Sequence, residues 1–179
     1  MTSDRDRRLL LGLAREAIQA YVGNATAYAP VPSAVLDEPG GAFVTLHKHG
    51  ELRGCIGHIE PNESLGKVIA RCAVAAASTD PRFPPITGGE LHEIDIEISL
   101  LGRLEAIRGP DQIEVGRHGL VVEQGWQRGL LLPQVATEWN WDADTFLAQT
   151  CHKAGLPRDA WKRGAKLFRF EAEVFGESD

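Results

Sequence analysis

The 179-residue sequence has little of what commits a chain to a disulfide framework, a membrane or a nucleic acid. Its three cysteines, Cys55, Cys72 and Cys151, are an odd number without a Cys-x-x-Cys pair, which argues against a disulfide framework and a thiolate-rich zinc site. No apolar run reaches the roughly 18 residues of a membrane span, and the N-terminus lacks the basic-then-apolar order of a signal peptide. The expected location is cytoplasmic. Basic clusters are missing too: 19 Lys+Arg stand against 25 Asp+Glu, a net charge of −6, and Arg5, Arg7 and Arg8 are interleaved with Asp4 and Asp6. A protein that tracks nucleic-acid phosphates needs clustered cations, so nucleic acid is not an expected partner. Single-stranded RNA binding, which needs aromatics on a basic sheet face, is disfavoured on the same ground. There is no Gly-rich βαβ phosphate loop, and hence no support for a Rossmann or P-loop fold.

What is present is a core. A chain of this length buries about 70% of its unfolded surface, and 43% hydrophobic content fills that interior without metal or disulfide staples. No cofactor is expected on stability grounds. One domain over residues 1–179 is expected, with two lobes sharing one continuous core.

The apolar spacing changes period along the chain. Ser3 followed by Asp6 opens an amphipathic helix to about Val22, with Leu10, Leu13, Ala17 and Tyr21 on one face. Proline and glycine crowd Ala29 to Gly41, which separates that helix from the rest. From Ala42 the pattern is a β-hairpin around Lys48-His49-Gly50; a three-residue loop sets His47 opposite Glu51, Thr45 opposite Arg53 and Phe43 opposite Cys55. Asn62 is placed to cap a helix through Leu65, Val68, Ile69, Cys72 and Ala76 to Ser78. Prolines make Asp80–Pro85 a rigid loop. Leu91–Leu104 alternates as a strand, Gly119–Glu123 and Gly129–Leu132 are two more, Asp142 opens a further helix, and Lys166–Phe175 closes the chain as a strand. Helices interspersed with hairpins indicate an α+β fold with a largely antiparallel sheet flanked by helices.

Leu52-Arg53-Gly54-Cys55-Ile56-Gly57-His58 is the sharpest local feature, a thiol between two glycines with an arginine two residues away. Glycine inside a strand marks close approach of a ligand or another backbone. An arginine about 5 Å from a thiolate supplies at most roughly 3 kcal/mol at an effective dielectric of 20, or about two pKa units, which would ionise much of Cys55 at neutral pH. The alternative is that Cys55 is a small buried hydrophobe, the glycines relieve packing under a helix, and Arg53 snorkels to solvent. His47, His49 and His58 lack the converging set of donors a metal needs, so no metal ligands are assigned. Cys72 and Cys151 read as core positions. Asp95 and Glu97 share the polar face of a strand and are either an acid–base pair or solvated surface. Asp80 and Arg82 either orient a polar ligand or form a local ion pair, and the tryptophans either line a pocket or bury area.

Read in order, Leu52-Arg53-Gly54-Cys55-Ile56-Gly57, Asp80-Pro81-Arg82-Phe83, Ile96-Glu97-Ile98-Ser99, Gly129-Leu130-Leu131-Leu132-Pro133-Gln134-Val135 and Lys153-Ala154-Gly155-Leu156 resemble the AMMECR domain family, also called AmmeMemoRadiSam system protein A. The similarity runs from the first helix to the last strand. It implies a two-lobed α+β fold, a functional site at the Cys-bearing motif, and association with a Memo-like protein and a radical S-adenosylmethionine protein. It supplies no reaction.

Two functional readings follow. In one, the chain is a binding or accessory component whose cleft at the hexapeptide holds a partner protein, a peptide or a small anion, with Arg53, Gly54, Gly57 and Arg82 as binding residues. In the other, Cys55 is a nucleophile or acceptor, Arg53 steadies the thiolate, and Glu97 or His58 moves protons.

Overall fold

The computed structural model describes residues 1–25 and 32–179. They form two compact units, Met1–Leu101 with Glu173–Asp179, and Gly102–Ala172. Each carries its own cluster of buried apolar side chains. The fold is α+β, with antiparallel strand pairing and flanking helices.

The first unit begins with α1 (Asp4–Val22), capped where expected, by Ser3 Oγ accepting from the Asp6 N–H at 3.2 Å. Leu10, Leu13, Ala14 and Ile18 of α1 are buried, whereas Tyr21 is 39% exposed. The breaker segment Ala29–Gly41 starts outside the described residues, and its described part contains one unforeseen helical turn, α2 (Ala34–Asp37). Next come β1 (Gly41–Lys48), β2 (Glu51–His58), α3 (Leu65–Ser78) and β3 (Ile94–Leu101). Strand order is β2-β1-β3. Because side chains alternate along a strand, Ala42, Val44 and Leu46 share one face with Ile96 and Ile98, and that face is buried with α1 and α3. Each of the Val, Leu and Ile side chains contributes about 1.5–3 kcal/mol when fully buried.

Four local expectations need correction. The hairpin turn has two residues, His49 and Gly50, both at positive φ (53° and 81°), and Lys48 pairs with Glu51. A β-bulge shifts the register between Leu46 and His47, so Thr45, and not Phe43, stands opposite Cys55. The cap of α3 is Ser64, because the Asn62 side-chain oxygen lies 2.8 Å from the His58 ring instead. The strand expected from Leu91 starts only at Ile94, since Thr87 and Glu90 form a capping box on a 3-10 turn before it.

In the second unit β4 (Glu105–Ile107), β7 (Lys166–Gly176), β5 (His118–Gln124) and β6 (Gln127–Leu131) pair in that order, and α4 (Pro133–Glu138) and α5 (Ala143–Lys153) complete it. Asp142 caps α5 through Oδ1, accepting from the Thr145 N–H at 2.7 Å. Ile107, Leu120, Val122, Phe146, Leu147, Cys151 and Leu167 are the core. Cys72 and Cys151 are both buried, as their helical spacing requires. The β5–β6 turn is tighter than the sequence suggests, and Trp126 at its tip is 91% exposed. The end of β7 belongs to the first unit, where Ile96 O accepts from the Glu177 N–H at 3.0 Å.

Candidate functional site: the hexapeptide strand

Leu52–Gly57 runs along β2, which ends the sheet of the first unit and, among the described residues, pairs with β1 alone. Since Gly54 abuts α3, alternation turns Cys55 to the opposite face of the sheet, where it forms a row with its cross-strand partner Thr45 and, one strand further, Glu97. Thr45 Oγ1 donates to the Cys55 sulfur at 3.3 Å. The Cys55 side chain is partly accessible, neither open nor sealed.

The outward backbone of Cys55 is met by an ion pair where a further strand would lie. Asp80 Oδ2 accepts the Cys55 N–H at 2.9 Å, and Arg82 Nη2 donates to the Cys55 carbonyl at 3.4 Å. Arg82 grips both carboxylate oxygens of Asp80 at 3.0 and 2.7 Å, and the Arg82 N–H adds a bond of 3.1 Å. The guanidinium also sits 5.5 Å from the centre of the Phe83 ring. Arg82, followed by the Cys55 and Arg82 backbone N–H groups, holds the buried Asp80 carboxyl well below the usual carboxylate range. Of the two readings for Asp80 and Arg82, the structure contains the ion pair.

Arg53 does not serve the thiol. The bulge leaves Arg53 without a cross-strand partner, and bulges re-aim the side chains they displace. Its guanidinium meets both Glu90 oxygens at 3.2 and 3.3 Å and the Pro84 carbonyl at 2.8 Å. Lys48 joins the same carboxylate at 3.2 Å. The Thr87 N–H and then Arg53 and Lys48 pull the Glu90 carboxyl down to about 2. Burial pushes the Cys55 thiol up from its ordinary value, opposed by the Thr45 hydroxyl and by Arg82. The expectation of a thiolate favoured by Arg53 is therefore corrected: the nearby cation is Arg82, and desolvation outweighs it.

The remaining candidates divide. Glu97 shares the face of Cys55 but lies about 10 Å away at ~4.8 Å per strand, with Thr45 between. His58, three residues from Cys55, projects from the opposite face and bonds Asn62. A Cβ on Gly54 would stand 2.2 Å from the Ala76 carbonyl oxygen of α3, and one on Gly57 would stand 2.4 Å from the Phe43 ring. Both glycines are thus accounted for by protein neighbours, an α3 backbone in one case and a cross-strand aromatic in the other. Among the described residues no group of three or more His, Cys, Asp or Glu is placed to hold a metal ion. Sequence reasoning misses Thr45, whose role depends on the bulge, and Glu90, although Thr87-x-x-Glu90 carries a legible capping-box signal.

The AMMECR1 family model matches residues 11–175. The chain belongs to the AMMECR1 family. Among its relatives, Protein Mbar_A1807 of Methanosarcina barkeri is 43% identical over 189 residues, covering 100% of this chain and 94% of the relative. A protein of Thermococcus onnurineus is 47% identical, covering 94% and 88%. The crystal structure of Uncharacterized Protein PH0010 from Pyrococcus horikoshii superposes with a TM-score of 0.88 at 42% identity, covering 94% of this chain and 89% of that one. Of the motifs that carry the AMMECR1 resemblance, the first three lie in the first unit and Gly129–Val135 and Lys153–Leu156 in the second. No helix among the described residues is long and apolar enough to cross a membrane.

Proposed function

We propose that this AMMECR1-family protein is a binding or accessory component that works with Memo-like and radical S-adenosylmethionine partner proteins, using the hexapeptide edge of β2 as a docking surface. One observation carries the reading: Cys55 is surrounded by completed interactions, and the carboxylate beside it, Asp80, is taken up by Arg82. Its backbone is latched by Asp80 and Arg82, its sulfur accepts from Thr45, and burial pushes its thiol up. Arg53 and Arg82 are already matched to carboxylates, which makes the edge a rigid, charge-patterned surface whose ordering cost is met before a partner arrives. The Arg82 side chain, 53% exposed, is the part of that surface a partner reaches first. The identities of the partners come from the family resemblance, and the choice of surface from the geometry.

The second reading, a Cys55-dependent enzyme acting on a small molecule or peptide, draws on Thr45 and Arg82, both of which favour the thiolate. Co-expression with the two partner proteins of the same host, followed by affinity capture, separates the readings. The docking role predicts that Cys55→Ser retains capture and Arg82→Ala, at unchanged far-UV CD, loses most of it. Loss with Cys55→Ser and full retention with Arg82→Ala would overturn it.

A further inference from the structure

The sheet of the second unit changes character along its core face. Ile107, Leu167 and Val122 lie side by side in register and are buried. Two residues further along the strands the same face carries Glu105, Arg169 and Leu120, and two further still Glu171 and His118. There the apolar floor opens into a cavity of about 430 Å³, lined also by Arg103, Glu114 and Arg117.

Most of these charges are matched. Arg117 bonds Glu171 at 2.7 Å and Glu114 at 3.1 Å, and Arg169 bonds Glu105 at 3.0 Å and the Gln112 carbonyl at 2.7 Å. Two donors are not. Arg103 lines the cavity without a hydrogen bond or ion pair to any described residue. His118 is 7% exposed, and its Nδ1 accepts the Glu114 N–H at 2.9 Å. A neutral imidazole carries one proton, so with Nδ1 acting as acceptor the proton sits on Nε2. That Nε2–H has no acceptor among the described residues, and His118 lines the cavity, so the donor is available to a ligand.

We propose that this cavity is a binding site for a small monoanionic carboxylate, held by the Arg103 guanidinium with the His118 Nε2–H donating to one carboxylate oxygen. The guanidinium fork fits a carboxylate, and the imidazole supplies a donor whose tautomer is already set. The charge count selects the monoanion. Arg117 and Arg169 against Glu105, Glu114 and Glu171 leave −1, which Arg103 brings to zero, so a doubly charged phosphate meets more repulsion than an acetate-like group. The site lies wholly within residues 102–172 and is independent of the docking role assigned to β2.

The test is an NMR titration of the full chain with sodium acetate at constant ionic strength, following the Arg103 Nε–H and His118 Nε2–H resonances. A four-atom probe should saturate both with a Kd of order 1 mM. Arg103→Ala, an exposed substitution that spares the fold, should abolish saturation, and Arg103→Lys should weaken it by about tenfold, because an ammonium cannot make the paired contact. Inorganic phosphate should bind more weakly than acetate. Shifts that stay linear, a titration unchanged in Arg103→Ala, or tighter binding of phosphate would each overturn the assignment.

Discussion

Replacing Asp80 with alanine tests whether the edge of β2 is held by the ion pair. The substitution deletes four acceptor contacts: the Cys55 N–H at 2.9 Å, the Arg82 N–H at 3.1 Å, and two guanidinium bonds at 3.0 and 2.7 Å. Hydrogen bonds to a charged group contribute about 1.5–3 kcal/mol each, but they do not add simply. The Arg82 side chain is 53% exposed, so water replaces much of what it loses and its share falls toward the ~0–1 kcal/mol of a surface pair. The Cys55 N–H keeps most of its penalty. Together these give a loss of about 2–4 kcal/mol at neutral pH for Asp80→Ala, and roughly half that for Asp80→Asn, which retains one acceptor oxygen. The pH dependence has a definite sign. The native Asp80 carboxyl titrates below its unfolded counterpart, so its contribution is complete above the unfolded value near ~4 and is lost as pH falls toward the native one. The gap between wild type and Asp80→Ala should stay constant from neutrality to about pH 5 and then close by up to about 1.4 kcal/mol per pH unit. Urea unfolding followed by far-UV CD is the assay, since all four tryptophans lie in the second unit and fluorescence would report on the wrong part of the chain. A gap under about 0.5 kcal/mol at pH 7, within the range of ordinary surface changes, or one that widens on acidification, would refute the latch.

Glu90, held at about 2 in the native state, stabilises the fold above its unfolded value and loses that contribution as pH falls toward 2; Glu90→Gln should flatten the acid limb of Tm against pH, and a parallel limb would count against the Arg53–Glu90–Lys48 cluster. Iodoacetamide should label Cys55 before the buried Cys72 and Cys151, with a midpoint above the ~8.5 of a free thiol and with Cys72, pushed up to about 11, far slower; a Cys55 midpoint below about 8 would restore the thiolate reading. Gly54→Ala drives a methyl to 2.2 Å from a backbone oxygen and should cost about 3 kcal/mol or more, whereas Gly57→Ala meets a side-chain ring and should cost about 1–3; equal, small Tm changes would contradict the packing account. Gly12→Ala, in α1 with no heavy atom within 4 Å of the added methyl, should instead stabilise by about 0.5–1 kcal/mol.

Much of the fold was legible because its signals are local. Ser3 and Asp142 cap helices, and the period-2 run from Ile94 makes a strand, through interactions that span only a few residues. The elements that escaped are short: α2, β4 and α4 have three to six residues each, too few for a period to register. The same limit explains Asn62, a competent cap by type whose side chain a neighbouring histidine claimed.

The order of side chains determined that Cys55 lies on a strand, that Gly54 and Gly57 need close neighbours, that Asp80 and Arg82 share a rigid loop, and that the family is AMMECR1. Only the tertiary structure decided what each group meets. A one-residue bulge at Arg53 exchanged the thiol's expected cation for Glu90, and packing of the Asp80 loop against β2 supplied Arg82 in its place. The physical reason is range. Periodicity and caps act within a few residues, whereas the electrostatics of Cys55 depend on groups 10, 25 and 27 positions away that converge only after β1, β2 and the loop after α3 have packed.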